Sequence, residues 1–181
     1  MVKRFRARPL GDSEFQVSFK EANFGQTPST VQAGTADRVS IQPIYIPRKT
    51  TINAVGFRQG GAGAAATDFR LGIYADNGNT PVGGALLFDS GEVAADGANG
   101  PKEKAISPAI EALPGYVWAA LLTEDTLFDF IRSGANSLIL STEFQGVFYT
   151  LGAFGALTDP CPSITETTAA PFFYIRHTGF R

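Results

Sequence analysis

The residue types that most often perform catalysis are scarce in this sequence. His177 is the only histidine and stands in an apolar, strand-like stretch, while Cys161 is the only cysteine and is flanked by Pro160 and Pro162. A Ser-His-Asp triad and most zinc sites would need the histidine, yet no G-x-S-x-G nucleophile motif accompanies it. We therefore interpret both residues as structural.

Acidic residues act in pairs in glycoside hydrolysis, and two pairs lie close together in the sequence: Glu92 with Asp96, and Glu124 with Asp125. Neighbouring residues of an extended chain point to opposite sides, which separates Glu124 from Asp125, and nothing in the pattern aligns Glu92 with Asp96. Both pairs are interpreted as solvated loop residues. We predict no catalytic residue and a protein that is not an enzyme.

The stretch 76–79 offers oxygen ligands of the kind that Ca²⁺ accepts. It lacks the further acids and the bidentate glutamate of an EF-hand loop, whereas Asp, Asn and Gly are also the residues that a tight turn requires. A hairpin turn is favoured, with Asp76, Asn77 and Asn79 as a candidate ligand-binding loop. No metal site and no cofactor are predicted, and the glycine-rich stretch 59–67 lacks the lysine and the spacing of a phosphate-binding loop.

The elements that would position these residues are predicted to be β-strands. From Val39 onward, short runs of β-branched and aromatic residues recur between clusters of Gly, Pro, Asn and Asp, which is typical of sandwiches and barrels. A chain of 181 residues that is 44% hydrophobic can form one core of this kind. The sequence therefore predicts an all-β protein, an antiparallel β-sandwich. The predicted strands are 39–46, 51–58, 68–75, 84–93, 102–106, 115–123, 137–144, 146–151 and 171–178.

Two of these strands indicate which of their sides are buried. In 68–75, Phe69, Leu71 and Ile73 alternate with other residues and so share one face, which we assign to the core. In 115–123 both faces carry apolar residues, which predicts a central strand between two layers.

At most one short helix is expected, over residues 123–133. Thr123 can cap its start, acids occupy its first turn, and Leu127, Phe130 and Ile131 share one helical face.

The first part of the chain, residues 1–38, is predicted to be an extended basic arm in front of a sandwich domain over 39–181. Its first eight residues carry four basic side chains and no acid, which leaves eleven basic and seventeen acidic residues in the other 173. Four charges are a weak footprint for nucleic acid, so we predict no nucleic-acid binding and expect the arm to dock on an acidic protein neighbour. The arm's phenylalanines have no obvious core of their own. The predicted docking residues are Lys3, Arg4, Arg6, Arg8, Phe15, Phe19 and Phe24.

The expected cellular compartment is inferred from the cysteine count, the N-terminal sequence and the lengths of the apolar stretches. A single cysteine cannot form an internal disulfide, which fits a reducing environment. The charged start is not followed by the apolar run of a secretory signal, and no stretch of about 20 apolar residues could span a membrane. We expect folding in a cytoplasm and no membrane insertion.

Two segments carry a resemblance to a known group of proteins. The first is a strand with the pattern L-x-I-Y that leads into an Asp-Asn-Gly turn, a proline and a strand beginning with two leucines; the second is the strand LPGYVWA. Together they resemble the jelly-roll-like β-sandwich domains of bacteriophage virion proteins, namely head decorations, fibres and tail appendages, over roughly residues 40–145. The matching residues are Leu71, Ile73, Tyr74, Asp76, Gly78, Pro81, Leu86, Leu87, Leu113, Pro114, Gly115, Tyr116, Trp118 and Ala120.

The resemblance implies a jelly-roll-like sandwich that serves as a non-enzymatic virion structural protein, made in the host cytoplasm and located in the virion. Such a capsid decoration or fibre or tail appendage subunit is expected to form a homo-oligomer, with a trimer favoured, and to contact other virion proteins. The alternative is a carbohydrate-binding module or host-receptor-binding domain that recognises a host surface glycan. That function would need exposed aromatics and loop acids or amides near 76–84 and 144–150, although sandwiches bury most such rings. The candidate aromatics are Trp118, Tyr45, Tyr74, Tyr116 and Tyr149.

Overall fold

The structure, a computed structural model, describes residues 15–17, 30–60, 67–95, 99–127, 129–132, 146–167 and 171–178. Within these ranges the chain forms thirteen β-strands and no helix, which confirms the predicted all-β fold. The strands are β1 Phe15–Val17, β2 Thr30–Ala33, β3 Arg38–Ile46, β4 Thr50–Gln59, β5 Asp68–Ala75, β6 Leu86–Asp89, β7 Val93–Ala94, β8 Gly100–Ala112, β9 Gly115–Thr123, β10 Asp129–Arg132, β11 Gly146–Thr150, β12 Thr165–Thr167 and β13 Phe173–Thr178.

The described strands form two antiparallel sheets that pack face to face, which confirms the predicted β-sandwich. The first sheet has the order β1-β13-β4-β10-β2, and β8 also pairs with β4. The second sheet has the order β12-β11-β3-β9-β5-β6, and β7 also pairs with β5. The core between the sheets contains Ile44, Ile46, Ile52, Val55, Phe57, Phe69, Leu71, Ile73, Ala95, Ile106, Ala112, Val117, Ala119, Leu121, Phe130, Phe173 and Ile175.

Strand β9 is buried on both faces, as its apolar pattern predicts. Every residue from 117 to 123 is buried. One set of alternate residues faces the core between the sheets, and the other faces outward from the second sheet. This outer face is covered by residues 151–164, which we call the cover segment, through Leu157 and Cys161. The residues of β9 that form this second apolar cluster are Trp118, Ala120 and Leu122.

The predicted helix over 123–133 is wrong, because residues 129–132 form the strand β10. Its ladder partner is β2, with Phe130 opposite Gln32 and Ile131 opposite Val31. Adjacent residues of a strand face opposite sides, and Phe130 and Ile131 are both buried, so the non-local pairing outweighs the helical pattern.

The other strand predictions agree with the structure in most places. Strand β5 has the predicted bounds, as does β9, and β3, β4, β11 and β13 agree within two residues. The predicted strand 84–93 is divided into β6 and β7, while the predicted strand 102–106 is longer, extending over Gly100–Ala112. The predicted strand 137–144 lies outside the described residues.

Two of the described strands belong to the predicted N-terminal arm. Strand β1 pairs with β13, and β2 pairs with β10, so both segments lie along the first sheet. The division into an arm over 1–38 and a domain over 39–181 stays a prediction. Of the predicted docking residues, Phe15 is part of β1. The others lie outside the described residues: Lys3, Arg4, Arg6, Arg8, Phe19 and Phe24.

No helix among the described residues is long and apolar enough to cross a membrane.

Candidate functional site

The turn that follows β5 is organised by Asp76. One carboxylate oxygen, Oδ1, accepts a 2.7 Å hydrogen bond from the indole Nε1 of Trp118. The other, Oδ2, accepts a 3.1 Å bond from the backbone N–H of Asn79, which adopts a positive φ of 70°. Both oxygens therefore hold the turn in place while keeping a second lone pair each for another donor.

Asn77 completes the turn. Its backbone N–H donates to the carbonyl of Thr80 at 2.8 Å, and its side-chain Nδ2 donates to the carbonyl of Val82 at 2.9 Å. The side chain is exposed, and no donor within the described part of the chain reaches its Oδ1. Its Oδ1 is therefore an acceptor available in the exposed turn, next to Asp76 in the sequence.

The structure offers little support for a metal at this turn. Asp76 is the only carboxylate in residues 76–84. Among the residues that the structure describes, no group of three or more His, Cys, Asp or Glu side chains could hold a metal ion.

The candidate aromatic residues fall into two classes. Tyr74, Trp118 and Tyr149 are buried, with exposed fractions of 0%, 4% and 6%. Tyr45 and Tyr116 are 49% and 40% exposed. Only the latter pair can stack on a ligand.

Tyr45 on β3 and Tyr116 on β9 are direct partners across the ladder. Their ring centroids lie 5.3 Å apart and their planes are tilted by 58°. Both rings lie on the outer face of the second sheet, because the flanking Ile44 and Val117 belong to the core between the sheets. On the other side of β9, Ala75 of β5 pairs with Val117. The next residue, Asp76, therefore lies level with Tyr116 and Tyr45. We call Tyr45, Tyr116, Asp76 and Asn77 the tyrosine surface.

The cover segment is fastened to the sheet by a closed chain of hydrogen bonds. The hydroxyl of Tyr74 donates to the carbonyl of Thr158 at 2.9 Å and lies 2.7 Å from the hydroxyl of Tyr149. The N–H of Thr158 donates to the Tyr149 hydroxyl at 3.3 Å. Because Tyr74 has one proton to donate, Tyr149 must donate to Tyr74. Burial raises the pKa of both phenols above the ordinary value of 10.0, so both stay neutral.

Further bonds fix the cover segment beside the tyrosine surface. The N–H of Cys161 donates to the carbonyl of Gly84 at 3.0 Å, and the N–H of Gly83 donates to the carbonyl of Cys161 at 2.8 Å. Asp159 accepts a 2.9 Å bond from the N–H of Leu86. In the middle of the segment, Asp89 accepts the N–H of Leu157 at 3.1 Å.

An open groove of about 440 Å³ lies at the edge of β11. Its lining residues are apolar or carry hydroxyl groups, and they include Leu151, Thr158 and Ser163. Arg38 on β3 stacks over the ring of Phe148, one of the lining residues, at 3.7 Å. The residues that line the groove include no acid, histidine or cysteine, so it supplies no recognisable catalytic group.

The other two residues considered for catalysis, Cys161 and His177, are both buried. Cys161 is buried, and this burial raises the pKa of its thiol to about 11, so the thiolate is disfavoured. His177 is buried in β13 opposite Ile52.

The acid pairs are likewise engaged locally. Glu124 accepts the N–H of Asp68 at 2.8 Å, and Asp125 accepts the N–H of Leu127 at 2.7 Å. Glu92 lies 3.4 Å from the guanidinium of Arg70. Asp96 lies outside the described residues.

All four residues of the tyrosine surface were candidates from the sequence, but the sequence did not predict that they lie close together in space. The pairing of Tyr45 with Tyr116 spans two strands far apart in the chain, and the only local signal was the position of Asp76 and Asn77 directly after a strand.

In comparisons with known proteins, no family model matches the chain, and no curated protein and no solved structure matches it significantly.

Proposed function

We propose that this chain is a non-enzymatic structural protein of a bacteriophage virion, a capsid decoration or a fibre or tail appendage subunit that assembles through its β domain and its N-terminal segment. The resemblance of residues 71–87 and 113–120 to such domains supports the class of protein. The observation that carries the mode of assembly is the pairing of β1 with β13.

Strand β1 is added to the sheet edge by main-chain pairing. Phe15 lies opposite Arg176, Gln16 opposite Ile175 and Val17 opposite Tyr174. In this structure the pairing lies within one chain; the same strand addition made to a neighbouring subunit would give affinity through backbone hydrogen bonds, a recurrent mode of recognition between chains. The basic residues 3–8 precede this strand in the sequence, and we expect them to contact an acidic surface of a neighbouring subunit.

The long edge strand β8 is poorly suited to assembly. Pro101 and Pro108 lack the N–H that a pairing strand would need. Lys102 and Lys104 pair with the core residues Phe57 and Val55, so they face the inner side of the sheet. Prolines and inward-facing charges are devices that prevent edge-to-edge association. We therefore assign the subunit contacts to the β1–β13 side of the first sheet.

Light scattering on the full chain and on two truncations tests this proposal. Deletion of 1–14 removes the basic residues and keeps β1, whereas deletion of 1–29 removes β1 as well. We expect the full chain to form a discrete oligomer, with a trimer favoured, and the 1–29 deletion to be monomeric. An intermediate result for the 1–14 deletion measures the contribution of the basic residues.

The same variants test the assignment to the virion. The full chain is expected to sediment with phage particles assembled in the host, and the 1–29 deletion is expected to remain in the supernatant. The proposed function would be refuted if the full chain is monomeric, if both deletion variants are monomeric as well, and if the full chain does not associate with phage particles. Urea unfolding of each variant controls for loss of the fold.

A further inference from the structure

We propose that the tyrosine surface binds a neutral sugar ring of a glycan, with Tyr45 and Tyr116 as the stacking residues and Asp76 and Asn77 as hydrogen-bond acceptors. This inference goes beyond the assembly role proposed above and does not depend on the N-terminal segment.

The two rings provide an apolar surface that the described part of the chain leaves partly exposed. The cover segment buries Tyr74 and Trp118 in the neighbouring row of the same face, but Tyr45 and Tyr116 remain 49% and 40% exposed. One face of a pyranose ring presents mainly C–H groups, which pack on aromatic rings. Tyrosine suits such a site because its ring is apolar while its hydroxyl stays hydrated.

The adjoining turn 76–80, which follows β5 at the level of Tyr116, offers acceptors that match the hydroxyl donors of a sugar. The Asp76 carboxylate is oriented by Trp118 Nε1 and by the N–H of Asn79, and each oxygen retains a lone pair. Asn77 adds its Oδ1, with the side chain held by the bond from Nδ2 to Val82. Because these orientations are already fixed by the fold, little ordering is needed on binding.

The charge of the surface selects a neutral sugar. Asp76 contributes a carboxylate, and no basic side chain of the described residues forms an ion pair with it. A sialic or uronic acid would place a second negative charge beside it, which is unfavourable.

The size of the surface also favours a small ligand over a protein. Two tyrosines that are about half exposed offer on the order of 200 Å² of accessible side chain, given roughly 150–250 Å² for a whole aromatic side chain. A stable protein interface covers about 800 Å² on each partner. A second copy of the chain is therefore not the expected occupant, whereas one or two sugar residues fit.

The test uses an array of neutral oligosaccharides built from glucose, galactose, mannose and N-acetylglucosamine, with sialylated glycans included. We expect the full chain to bind at least one neutral glycan. We expect no selective binding of sialylated glycans. The Tyr45→Ala and Tyr116→Ala variants should each bind about tenfold more weakly or worse, as expected for a residue at the centre of a contact. Tyr45→Phe and Tyr116→Phe keep the ring and should retain most of the affinity.

Leu127→Ala is the matched control, because Leu127 is 60% exposed in the turn between β9 and β10, away from this surface. Its binding should equal that of the unchanged chain, and urea unfolding should show that all variants are folded. Absence of binding to every neutral glycan, binding that survives Tyr45→Ala together with Tyr116→Ala, or selective binding of anionic glycans would each overturn the inference. So would loss of the oligomer in these variants, since the surface would then be a subunit contact.

Discussion

The indole of Trp118 and the carboxylate of Asp76 form a 2.7 Å hydrogen bond between residues that are 42 positions apart in the chain. Trp118 is 4% exposed, so its N–H is largely shielded from water that could replace a lost partner. The bond connects the centre of the second sheet with the turn that carries the tyrosine surface. It also explains why an acid stands at the first position of that turn.

Replacing Asp76 with Ala should lower the free energy of unfolding by about 1–3 kcal/mol, because a buried donor loses its acceptor. Asp76→Asn keeps Oδ1 as an acceptor and should lose less. Urea unfolding followed by the fluorescence of Trp118, the only tryptophan, measures both changes. Glu166→Ala on the exposed strand β12 serves as the control and should stay within about 0.5 kcal/mol of the unchanged chain. An equally small change for Asp76→Ala would contradict the assigned role.

The closed chain of Tyr74, Tyr149 and Thr158 predicts non-additive mutations. Tyr74→Phe leaves the Thr158 carbonyl without its donor, and Tyr149→Phe leaves the Thr158 N–H without its acceptor. Each single change should cost about 1–3 kcal/mol of unfolding free energy. The double variant should cost less than the sum, because the two hydroxyls also bond to each other. Strict additivity in a double-mutant cycle would show that the hydroxyls act independently.

Stability should fall in alkaline solution. The folded pKa is raised to about 11 for Cys161, from 9.0, and to about 12 for Tyr174, from 10.0, in both cases chiefly through burial. The unfolded chain therefore releases these protons first, and the stability they contribute is complete below pH 9 and is lost as pH rises to about 12. Tyr74 and Tyr149 act in the same direction.

Urea unfolding between pH 8 and pH 11 measures this decline. Cys161→Ala should lose less stability over the interval from pH 9 to pH 11 than the unchanged chain, since the group that titrates there is absent. A free energy of unfolding that stays constant up to pH 11 in the unchanged chain would show that the buried groups do not titrate differently on unfolding.

Gly72 is predicted to be intolerant of a side chain. A methyl group at this position would overlap the Leu157 side chain of the cover segment and would press on the Phe88 carbonyl. Gly72→Ala should therefore cost about 1–3 kcal/mol and shift the Trp118 emission to longer wavelength as the cover segment is displaced. At Gly152 a methyl group meets no atom within 4 Å, so Gly152→Ala is the control and should be near neutral. An unchanged emission and stability in Gly72→Ala would mean that the segment adjusts freely.

Local periodicity was sufficient to predict most of the strands. Phe69, Leu71 and Ile73 alternate along β5, and all three lie in the core between the sheets. Because side chains of a strand alternate between its faces, this information is present within eight consecutive residues. The apolar residues on both faces of β9 likewise predicted its burial on two sides.

Non-local pairing decided what local patterns could not. Leu127, Phe130 and Ile131 have helical spacing, yet β10 pairs with β2, about one hundred residues earlier in the chain. Leu127, which should have packed on the helical face, is 60% exposed. A preference worth a few tenths of a kcal/mol per residue is outweighed by a ladder partner and two buried side chains.

The candidate site depended most strongly on tertiary structure. Tyr45 and Tyr116 are strand tyrosines of the same kind as Tyr74, and nothing in their own segments indicates which rings are covered. The cover segment, which is distant from all three in the chain, packs on Tyr74 and leaves the other two exposed. Amino-acid order determined the strands and the faces on which these rings lie, because alternation is local. Which of these rings stay exposed was decided only by the part of the sheet on which the cover segment packs. Burial depends on contacts between distant segments, and sequence spacing does not specify those contacts.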